Sequence, residues 1–454
     1  MKKITKLIVG SAIVVGALAA AGWQVSATAK VGAQGYFYAY PLVLMELSKR
    51  HQLAMSMTGI NEFSHRKVFP DHTFNSVVAP NVDTLYSSAR LDLSVGPMVM
   101  TLPSTEGFYY MVPILDAWTN VIASPGTRNL GSAPARYLIT GPGWSGSVPD
   151  GYEQIKSPTN MAWVLGRIKS SGPSDYKQVN ALQARFGLYP LDPEAGSAGP
   201  QVDMPELLMD KAPDKQIEDW SMDEFYTAFC QLLDDNPAPA ADEPMLQQMR
   251  SAGLLTDDCS VTGNPLKRFG LQLGYDKALG VLRNTLQILQ QQVPPGEWRT
   301  VYDLGDYAQR YVQRALVAKV GLGANGAEDA VYSTATTDSS GDQLDGNASY
   351  QLHFNADELP PVKGFWSLTM YDTSRMLVGN QANRYAIGDR NDLYFAEDGS
   401  LTLYVQNERP ADANQARNWL PAPKQPFNLI LRLYWPGPEI LDASWQPPAI
   451  KRVD

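Results

Sequence analysis

The sequence predicts an α+β protein of two domains: a mixed α/β N-terminal domain with a helical middle segment, followed by an antiparallel jelly-roll-like β-sandwich. Three observations predict it. The 454 residues exceed what one hydrophobic core ordinarily organises. The hydrophobic period changes along the chain from short punctuated strands to helix and back to strict alternation. The composition, 44% hydrophobic and 19% charged with only 2 Cys, is that of a globular chain that can fold without a disulfide framework.

Residues 1–29 read as a secretory signal. Lys2, Lys3 and Lys6 form a cationic start, Leu7 to Ala21 an apolar run, and Ala27-Thr28-Ala29 a small-x-small cleavage site. Cleavage before Lys30 is expected; the rival reading is an uncleaved anchor, because Leu7 to Val25 approaches the roughly 20 residues that span a bilayer. No later segment is apolar enough to do so. The mature protein is therefore expected to be periplasmic or secreted, with no stable membrane insertion after signal cleavage. Export permits one disulfide, Cys230 with Cys259, the alternative being two separately buried thiols.

Tyr36 to Met57 has the apolar spacing of a helix that tolerates Pro41 in its first turns. Short β-favouring runs follow at Leu85 to Leu93, Met98 to Leu102, Phe108 to Leu115 and Arg136 to Ile139, so 30–170 reads as one domain of sheet and long loops. From 171 to 320 the pattern is mainly helical and continues the N-terminal unit: Ser221 caps Met222 to Leu233, and Pro265 to Gln292 and Tyr302 to Val320 are further runs. Pro190 to Pro213 is a loop. Within 335–454, Ser367/Thr369/Tyr371 alternate with Trp366/Leu368/Met370, and Asn428/Ile430/Arg432 with Leu429/Leu431/Leu433. Alternation of this kind predicts strands with one face buried, and the turn clusters between them suit a sandwich.

The run Val77 to Ser94, with Asn81-Val82-Asp83-Thr84-Leu85-Tyr86 at its centre, and the strings Asp116-Ala117-Trp118-Thr119-Asn120 and Ser124-Pro125-Gly126-Thr127-Arg128 closely resemble the DUF1254 domain. Phe365-Trp366-Ser367-Leu368-Thr369-Met370-Tyr371-Asp372, Asn418-Trp419-Leu420-Pro421 and Leu431-Arg432-Leu433-Tyr434 resemble the DUF1214 domain, its common C-terminal partner. The resemblance implies an α/β domain followed by a jelly-roll-like domain, usually exported, with no accepted cofactor and no assigned catalytic residue. One departure is visible: Phe108-Tyr109-Tyr110 stands where the family often has an Arg-Tyr pair.

Motifs of known chemistry are sparse. Gly321-Leu322-Gly323-Ala324-Asn325-Gly326 matches G-x-G-x-x-G but follows a helical run and precedes a strand, the reverse of a pyrophosphate site, and reads as a helix stop. The four His lack metal-ligand spacing. Asp338, Asp342 and Asp345 around Gly341 are spaced to wrap a cation or, more simply, to form an acidic turn. No cofactor is predicted, and a divalent cation stays open. The formal charge of -10 and the lack of a basic stripe argue against nucleic acid.

The informative cluster is Asn81, Asp83, Tyr86, Asp116, Trp118, Asn120 and Arg128, polar and aromatic groups between β-favouring runs where loops present ligands. In the catalytic reading Asp83, Asp116 and Arg128 act, a carboxylate as general base and the guanidinium as anion clamp. Asn81, Tyr86, Trp118 and Asn120 then bind substrate. In the structural reading Asn81 and Asp83 cap turns and Arg128 forms an ion pair. Two functions follow: an exported hydrolase acting on a small polar or sugar-like substrate, or a non-catalytic ligand-binding or assembly protein. The expected partner is a small molecule or glycan, with a homo-oligomer open.

Overall fold

The computed structural model describes residues 2–74, 78–194, 196 and 202–453, and for residues 2–20 the backbone alone. The chain forms two compact units, Met1–Met55 with Pro200–Thr285 and Tyr307–Lys319, and Ser56–Gly199 with Leu286–Asp306 and Val320–Asp454. This partition differs from the one drawn along the sequence: 171–320 is divided between the units, and the strands of 30–170 and 335–454 fall in the same one. Periodicity reports the element a segment forms, not the element it packs on.

In the first unit a single helix, Lys2–Ser56, supplies the centre. The expected helix at Tyr36 is its C-terminal part, so Pro41 lies in the helix interior and removes a backbone donor there. Tyr36, Tyr38, Ala39, Leu42, Val43, Met45 and Leu47 are buried, as in a helix surrounded by protein. Helix Met222–Asp235 begins with a reciprocal capping box, Ser221 with Glu224. Helix Pro265–Arg283 ends at Asn284, which divides the expected run from Thr285–Gln291. Its Gly270 and Gly274 admit the first helix, since a Cβ at either would collide with the Thr28 hydroxyl or the Ala29 carbonyl. Residues before the expected cleavage point therefore pack in this unit; most of the apolar run itself has side chains outside the described residues. Cys230 and Cys259 are disulfide-bonded, with Cα atoms 5.5 Å apart. Among the described residues no helix is long and apolar enough to cross a membrane.

The second unit carries four sheets. One runs in the order Ser64–His65, Thr84–Asp92, Met161–Lys169, Ile114–Asp116, Val121–Ala123, with Tyr110–Met111 also paired to Met161–Lys169. A second has Gly187–Pro190, Met98–Leu102, Ala135–Thr140 and Glu153–Lys156. Pro113 splits the expected Phe108 to Leu115 strand in two. Leu85, Leu91, Met100, Ile139, Val164 and Ile168 form the core of these strands.

The sandwich pairs a five-stranded antiparallel sheet, Arg299–Val301, Ala330–Ala335, Phe427–Pro436, Val362–Asp372 and Ala386–Gly388, with the four strands Trp419–Pro421, Leu401–Gln406, Tyr350–Phe354 and Lys451–Arg452. The expected Tyr302 to Val320 helix starts only at Tyr311, because Arg299–Val301 pairs as an edge strand. Leu429, Leu431, Leu433, Trp366, Leu368 and Met370 face the sandwich core. Alternation led us to expect one buried face on these strands, yet both faces of Val362–Asp372 and Phe427–Pro436 are buried along most of their length. The reason lies in the same unit: residues 79–83 and the end of strand Met161–Lys169 cover the second face. Small apolar clusters knit the two, Val82 with Tyr371 and Ile430, and Tyr109 with Phe365 and Tyr434.

Candidate functional site

The second face is polar because its residues alternate with the core. Register places Arg432 opposite both Tyr332 and Ser367, Ile430 opposite Thr334 and Thr369, and Tyr434 opposite Ala330 and Phe365. Side chains directly opposite in a ladder share a face. A layer of hydroxyls, rings and one guanidinium therefore lies under the N-terminal segment.

Asp83 enters this layer from above. Asn81 sets its position: the Asn81 side-chain oxygen accepts the amides of Asp83 at 2.7 Å and Thr84 at 3.0 Å, an Asx turn that leads into strand Thr84–Asp92. The Asn81 amide donates to the Tyr434 hydroxyl at 2.8 Å. The Asp83 carboxylate is fully buried. One oxygen accepts from Arg390 Nη1 at 2.6 Å; the other accepts from the Ser367 hydroxyl at 2.6 Å and the Tyr434 hydroxyl at 3.4 Å. Arg432 donates to Thr369, to the Tyr371 hydroxyl at 2.7 Å and to the Ala79 carbonyl at 3.1 Å, and Tyr371 donates on to the Pro80 carbonyl at 2.6 Å. Burial alone would raise the Asp83 carboxyl, but Arg390 and Arg432, with the Ser367 hydroxyl, outweigh it and hold it below the usual carboxylate range.

The layer continues through Arg167, which donates to the Gly323 carbonyl at 2.6 Å and stands over the Tyr86 ring at 5.2 Å. Gly323 has φ +83° and lies so close to Trp163 and Leu165 that a Cβ would collide. The glycine-rich string is thus the helix stop expected, and also a close approach to strand Met161–Lys169. At the rim, Lys169 reaches Asp389 at 3.4 Å, the two side chains being 25% and 32% exposed. The Lys169 ammonium lies 4.7 Å from the centre of the Phe365 ring. Burial lifts the Asp389 carboxyl above its usual range; Lys169 and Arg390 pull against that rise, and the Asp83 charge adds to it.

The other expected residues have their own partners. Asp116 accepts the Asn120 amide and side chain at 2.8 and 3.0 Å across the turn between Ile114–Asp116 and Val121–Ala123. Trp118 in that turn is fully buried. Arg128 pairs with Asp329 at 2.7 Å and Glu328 at 3.1 Å. Asp83 and Arg128 thus bond to different partners, Asp116 bonds within its own turn, and Asn81, Asp83 and Tyr86 touch the polar layer. Arg390, Ser367, Tyr371, Arg432, Arg167, Lys169 and Asp389 were missed. Arg432 carried a legible signal, an arginine amid Leu429, Leu431 and Leu433. Asp338 accepts the amides of Ser340 and Asp342 and so closes an acidic turn, and among the described residues no cluster of three or more His, Cys, Asp and Glu is placed to hold a metal ion.

Fold and layer together define an α+β protein of two units in which N-terminal strands and a C-terminal sandwich share one buried ionic network. Residues 60–190 match the DUF1254 family and residues 329–438 the DUF1214 family, each described as a protein of unknown function. The chain belongs to the family that joins these domains in this order. The VPA0106 protein from Vibrio parahaemolyticus, seen in a crystal structure, shares the fold: TM-score 0.70 over 95% of this chain and 100% of its own, at 22% identity. A putative uncharacterized protein from Burkholderia cenocepacia aligns over 96% of this chain and 95% of its own, at 12% identity and TM-score 0.45. Comparison with curated proteins finds no match.

Proposed function

We propose that the chain is an exported, non-catalytic binding protein for a small polar or sugar-like molecule. One observation carries this reading: the Asp83 carboxylate is buried, ion-paired and hydrogen-bonded at both oxygens, so its lone pairs serve the fold instead of a substrate proton. The rim, where Lys169 and Asp389 meet solvent above the buried Phe365 ring, offers a charged pair to a ligand. Export to the periplasm or beyond is supported by the cationic and apolar N-terminal sequence and by the Cys230–Cys259 disulfide, a bond that persists in oxidising compartments.

A screen of soluble metabolites and glycans against the purified protein, read by thermal shift and mass spectrometry, tests the reading. A compound that raises the melting temperature and is recovered unchanged supports it; a compound that is consumed overturns it. The hydrolase reading draws on a different observation, two carboxylates pushed in opposite directions, Asp83 down and Asp389 up. It predicts turnover that Asp389→Asn abolishes. Intact mass of the exported protein reads the processing point: Lys30 is the expectation from sequence, whereas the packing of Thr28 and Ala29 against Gly270 and Gly274 favours a start upstream of them.

A further inference from the structure

We propose that Arg375 and Arg299 form an oxyanion site that takes the carboxylate or phosphate group of a small molecule. The proposal rests on the binding reading and deepens it by naming the charged group of the ligand.

Strand Val362–Asp372 ends in a turn closed by the Asp372 carboxylate, which accepts the amides of Ser374 and Met376, both at 2.8 Å. The turn holds Arg375 at φ +62°, a left-handed conformation that an arginine adopts only at some cost. Its carbonyl accepts the Ala79 amide at 2.9 Å, while the Ala79 carbonyl accepts from Arg432 at 3.1 Å. One residue thus ties the Arg375 backbone to the Arg432 guanidinium. Arg299 approaches from the sheet edge. It lies opposite Thr334, which lies opposite Ile430, two residues along the ladder from Tyr332, Arg432 and Ser367 and so on the same face.

Arg432 is satisfied by Thr369, Tyr371 and Ala79, but Arg375 and Arg299 are not. Among the described residues neither guanidinium donates a hydrogen bond or makes an ion pair, and the Nε of Arg375 is buried with no acceptor. Burial, then the nearby Arg299 and Arg432 charges, pull Arg375 below its ordinary value; burial does the same to Arg299, where Asp303 pulls the other way. Both stay protonated at physiological pH, since arginine does not deprotonate there. Two desolvated cations that repel each other and make no ion pair are unfavourable, and a bound oxyanion removes both defects by accepting from the two planar forks.

Thermal melts and titration calorimetry of the full chain in sodium succinate and in sodium phosphate, against sodium chloride at equal ionic strength, test the site. The expected result is a rise in melting temperature with at least one oxyanion beyond that in chloride. Arg375→Gln should weaken its binding tenfold or more while leaving the melt in chloride unchanged or higher, since it removes an unpaired cation. Arg299→Gln should weaken binding in the same direction, and serves if the first variant folds poorly. A response to succinate alone assigns a carboxylate, and one to phosphate alone a phosphate. Equal melts in all three salts, or an Arg375→Gln response equal to that of the parent chain, would overturn the proposal. A neutral ligand from the metabolite screen, bound equally by Arg375→Gln, sinks the oxyanion site and leaves the binding reading standing; no ligand in either experiment sinks both.

Discussion

The two faces of the central strands Val362–Asp372 and Phe427–Pro436 are both buried along most of their length, yet they are held by different forces. On one, Leu429, Leu431, Leu433, Leu368 and Met370 pack in the sandwich core, where stabilisation scales with apolar area at roughly 25 cal/mol per Å². On the other, Arg432, Ser367, Thr369, Tyr371 and Tyr434 meet Asp83 and Arg390 in directed, charge-assisted bonds. The first face tolerates imperfect geometry and loses energy in proportion to the atoms removed. The second is all-or-none, because each group removed leaves a buried partner unsatisfied.

Asp83→Asn should produce the largest effect. It leaves Arg390 buried opposite a neutral amide, and a loss of roughly 3 to 5 kcal/mol by denaturant unfolding is expected for a broken buried ion pair. A loss under about 1 kcal/mol, together with lost ligand-induced stabilisation, would return Asp83 to a ligand-serving role. The parent chain should also lose stability at acid pH in a way the variant does not. The folded Asp83 carboxyl lies below its unfolded value, so its contribution is present above that value, roughly pH 3.9, and is lost as pH falls through the folded one.

On the apolar face Leu431→Ala should cost roughly 2 to 5 kcal/mol, with no change in the shape of the pH profile. Tyr371→Phe is smaller, roughly 1 to 3 kcal/mol, because it removes an acceptor for Arg432 and a donor to the Pro80 carbonyl while keeping the ring. The smallest effect belongs to the rim. Asp389 has a raised carboxyl, so its contribution is full below the unfolded value and is lost as pH rises through the folded one. Asp389→Asn should therefore melt slightly higher than the parent at neutral pH, with the two converging in acid. A lower melt at neutral pH would show that the Lys169 contact outweighs burial.

Much of the fold was legible. The strands at Leu85, Met98 and Arg136, the capped helix at Met222 and the alternating C-terminal strands all appear with ends shifted by a few residues, because local periodicity and capping act within a single element. Strand Met161–Lys169 was not singled out, since its run from Met161 to Leu165 is apolar and shows no alternation. Arg299–Val301 was absorbed into a helical run for want of length.

The candidate site was legible by half. Asn81 and Asp83 stood out as polar residues at the start of a strand, and their turn chemistry was readable from their order. Their partners Ser367, Arg390, Arg432 and Tyr434 lie about 285 to 350 positions away along the chain, at separations no local pattern can report. By itself the sequence determined which residues alternate, where turns fall and which family the chain joins. Only the tertiary structure decided that the polar side of the alternation faces protein instead of water, and hence that Asp83 is matched by arginine while, among the described residues, Arg375 and Arg299 make no ion pair. The physical reason is that a strand's pattern says which side chains share a face, whereas the dielectric and the partners that face meets depend on what is folded against it.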